Sequence, residues 1–114
     1  MQFLLIVCHD ESFVPAETLI EETVGWVKEM ASRGIRKYGN PLRPAGDAKT
    51  VRVREGKLLL TNGPFATSEE QMCAYDLIEC ASFEEAIDVA SRHPMAKAAA
   101  VEVRPIWADL AKVE

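Results

Sequence analysis

Apolar residues along this chain switch between two spacings, and the order of the switches predicts β, α, β and then β, α, β with a hairpin between the halves. Met1 to Cys8 is a nearly continuous apolar run of strand length, which suits a central strand. Residues 16–33 place Leu19, Ile20, Val24, Val27 and Met30 at helical spacing, with Glu17, Glu21, Glu22, Lys28 and Glu29 between them. That pattern predicts an amphipathic helix, opened by Pro15 and ended by Gly34. Gly39, Pro41 and Pro44 then allow at most an edge strand near Arg36 to Leu42.

Thr50-Val51-Arg52-Val53-Arg54 alternates with period two, and Glu55-Gly56 joins it to Lys57-Leu58-Leu59-Leu60-Thr61. Two such runs around a two-residue turn with glycine predict a β-hairpin, with the Arg52 and Arg54 side toward solvent. Ser68 to Gln71 reads as a turn of helix and Met72 to Glu79 as a strand. Ser82-Phe83-Glu84-Glu85 has the form of a capping box, opening a helix that buries Phe83, Ala86, Ile87 and Ala90 and stops at Pro94. Val101 and Val103 alternate with Glu102 and Arg104 in a last strand.

This order is the split βαβ arrangement of a ferredoxin-like α+β sheet with both helices on one face, in a single domain spanning 1–114. The other face would expose Phe3, Leu5 and Val7 or their alternates, so a second copy is expected to cover it, sheet to sheet.

Net charge and cysteine usage narrow the function. At −5 the chain argues against direct nucleic-acid binding, and the clusters Arg33, Arg36, Lys37 and Lys49, Arg52, Arg54, Lys57 read as solvated surfaces. Cys8, Cys73 and Cys80 are odd in number and lack paired metal-ligand spacing, which points to reduced thiols, no metal and no cofactor. With no apolar run of ~20 residues and no secretory leader, the expectation is a cytoplasmic protein outside any membrane.

Candidate chemistry centres on Thr61-Asn62-Gly63-Pro64-Phe65-Ala66, the strongest turn-forming stretch, where Phe65 can pin the loop onto a core. Asn62, Gly63, Pro64 and Phe65 are the candidate ligand contacts of this loop, with Tyr75 and Arg104 added from the strands; Tyr75 and Trp26 also read as core or rim residues. For acid and base chemistry the candidates are His93, Asp10 and Glu102. Each has a plainer role: His93 at the last carbonyls of its helix, His9-Asp10 in a solvated loop, and Glu102 with Arg104 as an ion pair at the dimer interface.

Several stretches together resemble the YCII-related proteins, in the branch named for an Asp-Gly-Pro-Phe motif. They are Met1 to Val7 with Asp10-Glu11, Gly39 to Pro44, Thr50 to Lys57, Gly63-Pro64-Phe65-Ala66 with Glu70-Gln71, and Val101 to Ile106. The resemblance implies a dimeric α/β barrel of ferredoxin-like subunits, suggested enzyme roles, and an association with extracytoplasmic-function sigma factors. This chain departs from the family pattern at Asn62, where an acid begins the signature, at Thr67, where Glu is usual, and at Cys73-Ala74, where Gly-Gly is usual. An amide cannot exchange protons as a carboxylate does. Two readings follow: a small-molecule-binding or regulatory homodimer, for which the resemblance implies a sigma-factor partner, and a cofactor-free enzyme at a cleft near His93 and the Gly63 to Phe65 loop. Loss of both acids favours the first.

Overall fold

The computed structural model describes residues 1–111 and shows an α+β chain with two antiparallel sheets. Strands β1 (Gln2–His9), β2 (Arg36–Pro41), β5 (Gln71–Glu79) and β6 (Ala100–Pro105) form the main sheet in the order β2-β5-β1-β6. That is the interleaved order expected of two split βαβ units. The remaining strands, β3 (Lys49–Arg54) and β4 (Lys57–Asn62), form a second, two-stranded sheet. The main sheet stays open, and no closed barrel forms within the described residues.

Alternation along β1 decides which face is covered. Phe3, Leu5 and Val7 are buried, while Leu4, Ile6 and Cys8 on the opposite face are only half-buried. Phe3 and Leu5 join Trp26 and Met30 of α1 (Leu19–Ser32), Ala86, Val89 and Ala90 of α2 (Phe83–Ser91), and Ile78 of β5 in one core. Burial of each large side chain contributes roughly 1.5–3 kcal/mol.

The buried stripe of α1 differs from the expected one. Ile20 and Val24 are 78% and 44% exposed, and the helix turns Trp26 inward instead. Trp26 carries the larger apolar area, and its indole N–H donates to the Val89 carbonyl at 3.1 Å, so the ring is buried with its donor satisfied. The helix also starts later than Pro15, with Thr18 at its N-cap position. In α2, Phe83 and Ile87 are exposed, and Val89 replaces them in the core because Ala86, Val89 and Ala90 let the helix lie close to the sheet.

The capping box is offset by one residue. Ser82 Oγ accepts from the Glu85 amide at 3.1 Å, but the Glu85 carboxylate reaches back to the Ala81 amide, also at 3.1 Å. Gly34 takes φ 73° after α1, as expected of a helix-ending glycine. Ser68 to Gln71 is a bent loop, not a helical turn, and Gln71 already belongs to β5.

The hairpin turn is Glu55-Gly56, with φ of 52° and 76°, the two left-handed residues of a type I′ connection. On the side expected to face solvent Arg54 is exposed and Arg52 half-buried, but the apolar face is open as well: Val51, Val53, Leu58 and Leu60 are 59–66% exposed. The arm projects from the body, and the radius of gyration is 16.2 Å against about 13 Å for a compact domain near this size.

One basic cluster also differs from expectation. Arg36 is not solvated: its Nε donates to Asp76 Oδ1 at 2.7 Å, with the two side chains 17% and 7% exposed. Desolvation raises the Asp76 carboxyl pKa, and the Arg36 hydrogen bond and charge oppose it.

Candidate functional site

Three loops meet at one end of the sheet. β1 runs out at His9 and leads into Asp10-Glu11-Ser12, β2 gives way to Leu42-Arg43-Pro44-Ala45, and β4 gives way to Gly63 through Glu70. Between them lies an open cleft of about 1010 Å³, lined among others by His9, Asp10, Ser12, Asn62, Pro64, Thr67, Gln71 and Cys73. A shallower lobe of about 710 Å³ shares Pro64 and adds Lys49, Thr50 and Phe65.

The Asp10 loop is held by its own carboxylate. Asp10 Oδ1 accepts from the Ser12 amide at 3.0 Å and from Ser12 Oγ at 2.6 Å, an Asx-type turn. The Ser12 hydroxyl is the main cause of a lowered Asp10 pKa, with desolvation opposing it. His9 Nδ1 lies 2.9 Å from the Asp10 carbonyl, and its ring stacks on Phe13 at 4.7 Å between centroids.

The glycine-proline loop is anchored by backbone and by one glutamine. Gly63, at φ 97°, donates its N–H to the Ala48 carbonyl at 2.7 Å and accepts from Thr50 Oγ1 at 2.9 Å. Its left-handed backbone is the conformation glycine adopts without a Cβ penalty. Gln71 Nε2 donates to the carbonyls of Ala66 and Ser68, each at 2.8 Å, and so clasps the far side of the loop. Asn62 closes β4, and its Oδ1 accepts from Lys49 Nζ at 2.7 Å across the hairpin rather than capping the turn. Phe65 does not pin the loop: it is 76% exposed at the rim of the shallower lobe.

A β-bulge sets the inner wall. The β1–β5 register shifts between Val7 and Cys8, so Cys8 opposes Met72 and Cys73 is the extra residue. Burial pushes the thiols of Cys8, Cys73 and Cys80 up, Cys80 to about 11, which keeps them protonated and poorly nucleophilic at neutral pH. Among the described residues no group of three or more His, Cys, Asp and Glu is arranged to hold a metal ion.

Asp10, Asn62 and Pro64 are thus brought together, with Gly63 and Phe65 beside them, and the other candidates lie elsewhere. His93 is 4% exposed in the core. It is the N-cap of α3 (Pro94–Ala98), its Nδ1 accepting from the Met95 amide at 3.0 Å, and its ring meets Trp26 at 4.6 Å. Desolvation, assisted by the Arg36 charge, lowers its pKa to about 4. Tyr75, Glu102 and Arg104 sit on the open face of the sheet, where Ile6 is paired with both Tyr75 and Glu102, and Leu4 with Arg104. Tyr75 accepts from Asn40 Nδ2 at 3.1 Å, and Arg104 Nε approaches Glu102 Oε2 to 3.5 Å in the same strand. Sequence reasoning missed the structural weight of Gln71, Ser12 and Arg43; Ser12, two residues after Asp10, was the one local signal of a turn.

A family model for the YCII-related domain matches residues 1–108. The chain belongs to the YCII-related family. An uncharacterized protein of Rhizobium meliloti (strain 1021) is 39% identical over 111 residues, covering 89% of each chain. The YCII-related match runs from β1 through β6, so both halves of the cleft fall inside it. Among the described residues of this YCII-related chain, no helix is long and apolar enough to cross a membrane.

Proposed function

We propose that this YCII-related protein is a small-molecule-binding homodimer whose ligand sits in the cleft between the Asp10 loop and the Asn62 to Gln71 loop. The observation that carries the reading is the charge of the lining. Asp10, Glu11 and Glu69 face one cation, Arg43, and Arg43 Nε already lies 3.1 Å from Asp47 Oδ2. An acidic, hydroxyl-rich cleft favours a ligand that donates hydrogen bonds and carries an amine over one that carries a carboxylate.

The second copy covers the open face of the sheet, where Leu4, Ile6 and Leu77 remain half-buried in the single chain, and the paired sheets give the dimeric barrel. Regulation of a sigma factor rests on the family resemblance and on no residue of the cleft.

One observation favours an enzymatic reading instead. His9 lies in the cleft beside Asp10, so acid and base catalysis there runs through His9 and not through the sealed His93.

The test is a thermal-shift screen of the purified protein against amines, amino sugars and carboxylates, repeated with Asp10→Asn and His9→Ala. A ligand at about a hundred times its Kd adds roughly 2.7 kcal/mol. Amine hits lost in Asp10→Asn support the reading, and hits confined to carboxylates overturn it. Turnover of a hit that disappears in His9→Ala establishes the enzymatic reading.

A further inference from the structure

The β3–β4 arm presents an apolar face that nothing among the described residues covers. Val51 pairs with Leu60 and Val53 with Leu58, so all four side chains share one face, and each is about three-fifths exposed. A two-stranded hairpin is marginal in water without packing on one face. At its base the arm is closed by its own flanking residues, Gly63 donating to the Ala48 carbonyl and accepting from Thr50 Oγ1.

A matching surface exists elsewhere on the same chain. Ile20 and Val24, one helical turn apart on α1, are exposed side by side. Charge decides between a second copy's helix and a second copy's arm. Residues 49–57 carry four cations and one acid, for +3, whereas residues 17–29 carry four acids and one cation, for −3. Arm against arm sets two +3 segments together, while arm against helix sets opposite signs within a Debye length. Six residues per strand reach ~20 Å, which matches the two ~10 Å layer spacings between one sheet and the helices behind its partner's sheet.

We propose that the β3–β4 arm of each protomer packs its Val51, Val53, Leu58 and Leu60 face onto the Ile20 and Val24 face of α1 in a second copy, reciprocally about a two-fold axis. The exchange is isologous and closes at two subunits. It also completes the cleft, because Lys49 and Thr50 at the arm's base line its shallower lobe. Seating the arm therefore fixes one wall of the site. The inference rests on the homodimer reading above and adds a second contact to it.

Sedimentation equilibrium of the full chain tests it. Leu58→Glu and, separately, Ile20→Lys each weaken dimerisation by more than roughly 100-fold, because each buries an unpaired charge. The double variant regains at least about tenfold, since the two new charges meet. Circular dichroism matching the wild type verifies that each variant folds. A wild-type monomer at micromolar concentration overturns both the dimer and the arm exchange. A wild-type dimer that Leu4→Glu dissociates, but Leu58→Glu does not, overturns the arm exchange alone. Leu58-dependent binding to anionic phosphatidylserine vesicles, with no effect on self-association, assigns the arm to a lipid surface and overturns it as well.

Discussion

Arg36 and Asp76 form a nearly buried ion pair at 2.7 Å, and the missing side chain of Gly39 makes room for it. A Cβ at Gly39 would collide with Asp76 Oδ1, the Tyr75 carbonyl and the Arg36 guanidinium. The pair and the glycine are one device: a polar contact between an edge strand and its neighbour that needs an empty position opposite the acid. Arg36→Met leaves a buried carboxyl without its partner and is expected to lower unfolding free energy by about 3–5 kcal/mol in urea titration. Gly39→Ala costs about 1–3 kcal/mol by overpacking against backbone that cannot give way. A loss below about 0.5 kcal/mol in both variants rules out the device.

His93 makes stability depend on pH. Its folded pKa, about 4, lies below its ordinary value of 6.5, so the unfolded chain takes up the proton first. The contribution is fully present above pH 6.5 and is lost as pH falls through about 4, roughly 3 kcal/mol in total. His93→Asn keeps a cap acceptor and removes the titration. The stability gap between wild type and variant is therefore expected to move by roughly that amount in favour of the variant between pH 7 and pH 4, read by denaturant titration. A constant gap shows that the ring is not held neutral.

Gln71 is the clasp of the cleft loop, and two hydrogen bonds of ordinary strength are worth about 1–3 kcal/mol together. Gln71→Ala is expected to speed amide exchange across Ala66 to Glu70 while the α1 and β1 amides keep their protection. Uniform acceleration instead would mean that Gln71 acts on the whole fold.

Asn62→Asp restores the acid of the family signature opposite Lys49 Nζ. The new carboxylate meets a cation on an exposed strand end, so stability rises by less than about 1 kcal/mol and the gain fades in high salt. Its pKa by NMR is expected at or below the ordinary aspartate value. A raised pKa would mark a proton-transfer group and favour the enzymatic reading.

The elements readable from sequence were those coded locally. The Val51 to Arg54 alternation, the Glu55-Gly56 turn and the Ser82 cap each need only neighbours within a few residues, and each stands where the pattern puts it. What could not be read joins distant residues. Arg36 and Asp76 are forty positions apart, and the pairing of Trp26 with Val89 turned α1 away from the stripe its aliphatic residues suggested. At the site, the Gly63 turn was legible because only glycine suits its backbone, whereas Phe65 was misread: an aromatic side chain after a turn says nothing of which way it points. His93 was legible as a helix boundary and not as the start of the next helix, since Pro94 serves equally well after one helix and at the first position of another.

Among the described residues β3 and β4 pair with no other strand, which leaves both outer edges of the arm with backbone donors and acceptors outside any ladder. Exposed edges of this kind template strand addition and hence aggregation. Arg52, Arg54 and Lys57, on the face opposite the apolar one, are the residue types that guard such edges, and the paired left-handed turn adds twist that a flat stack rejects. The segment most exposed to misassembly while the chain is still alone thus carries its own protection.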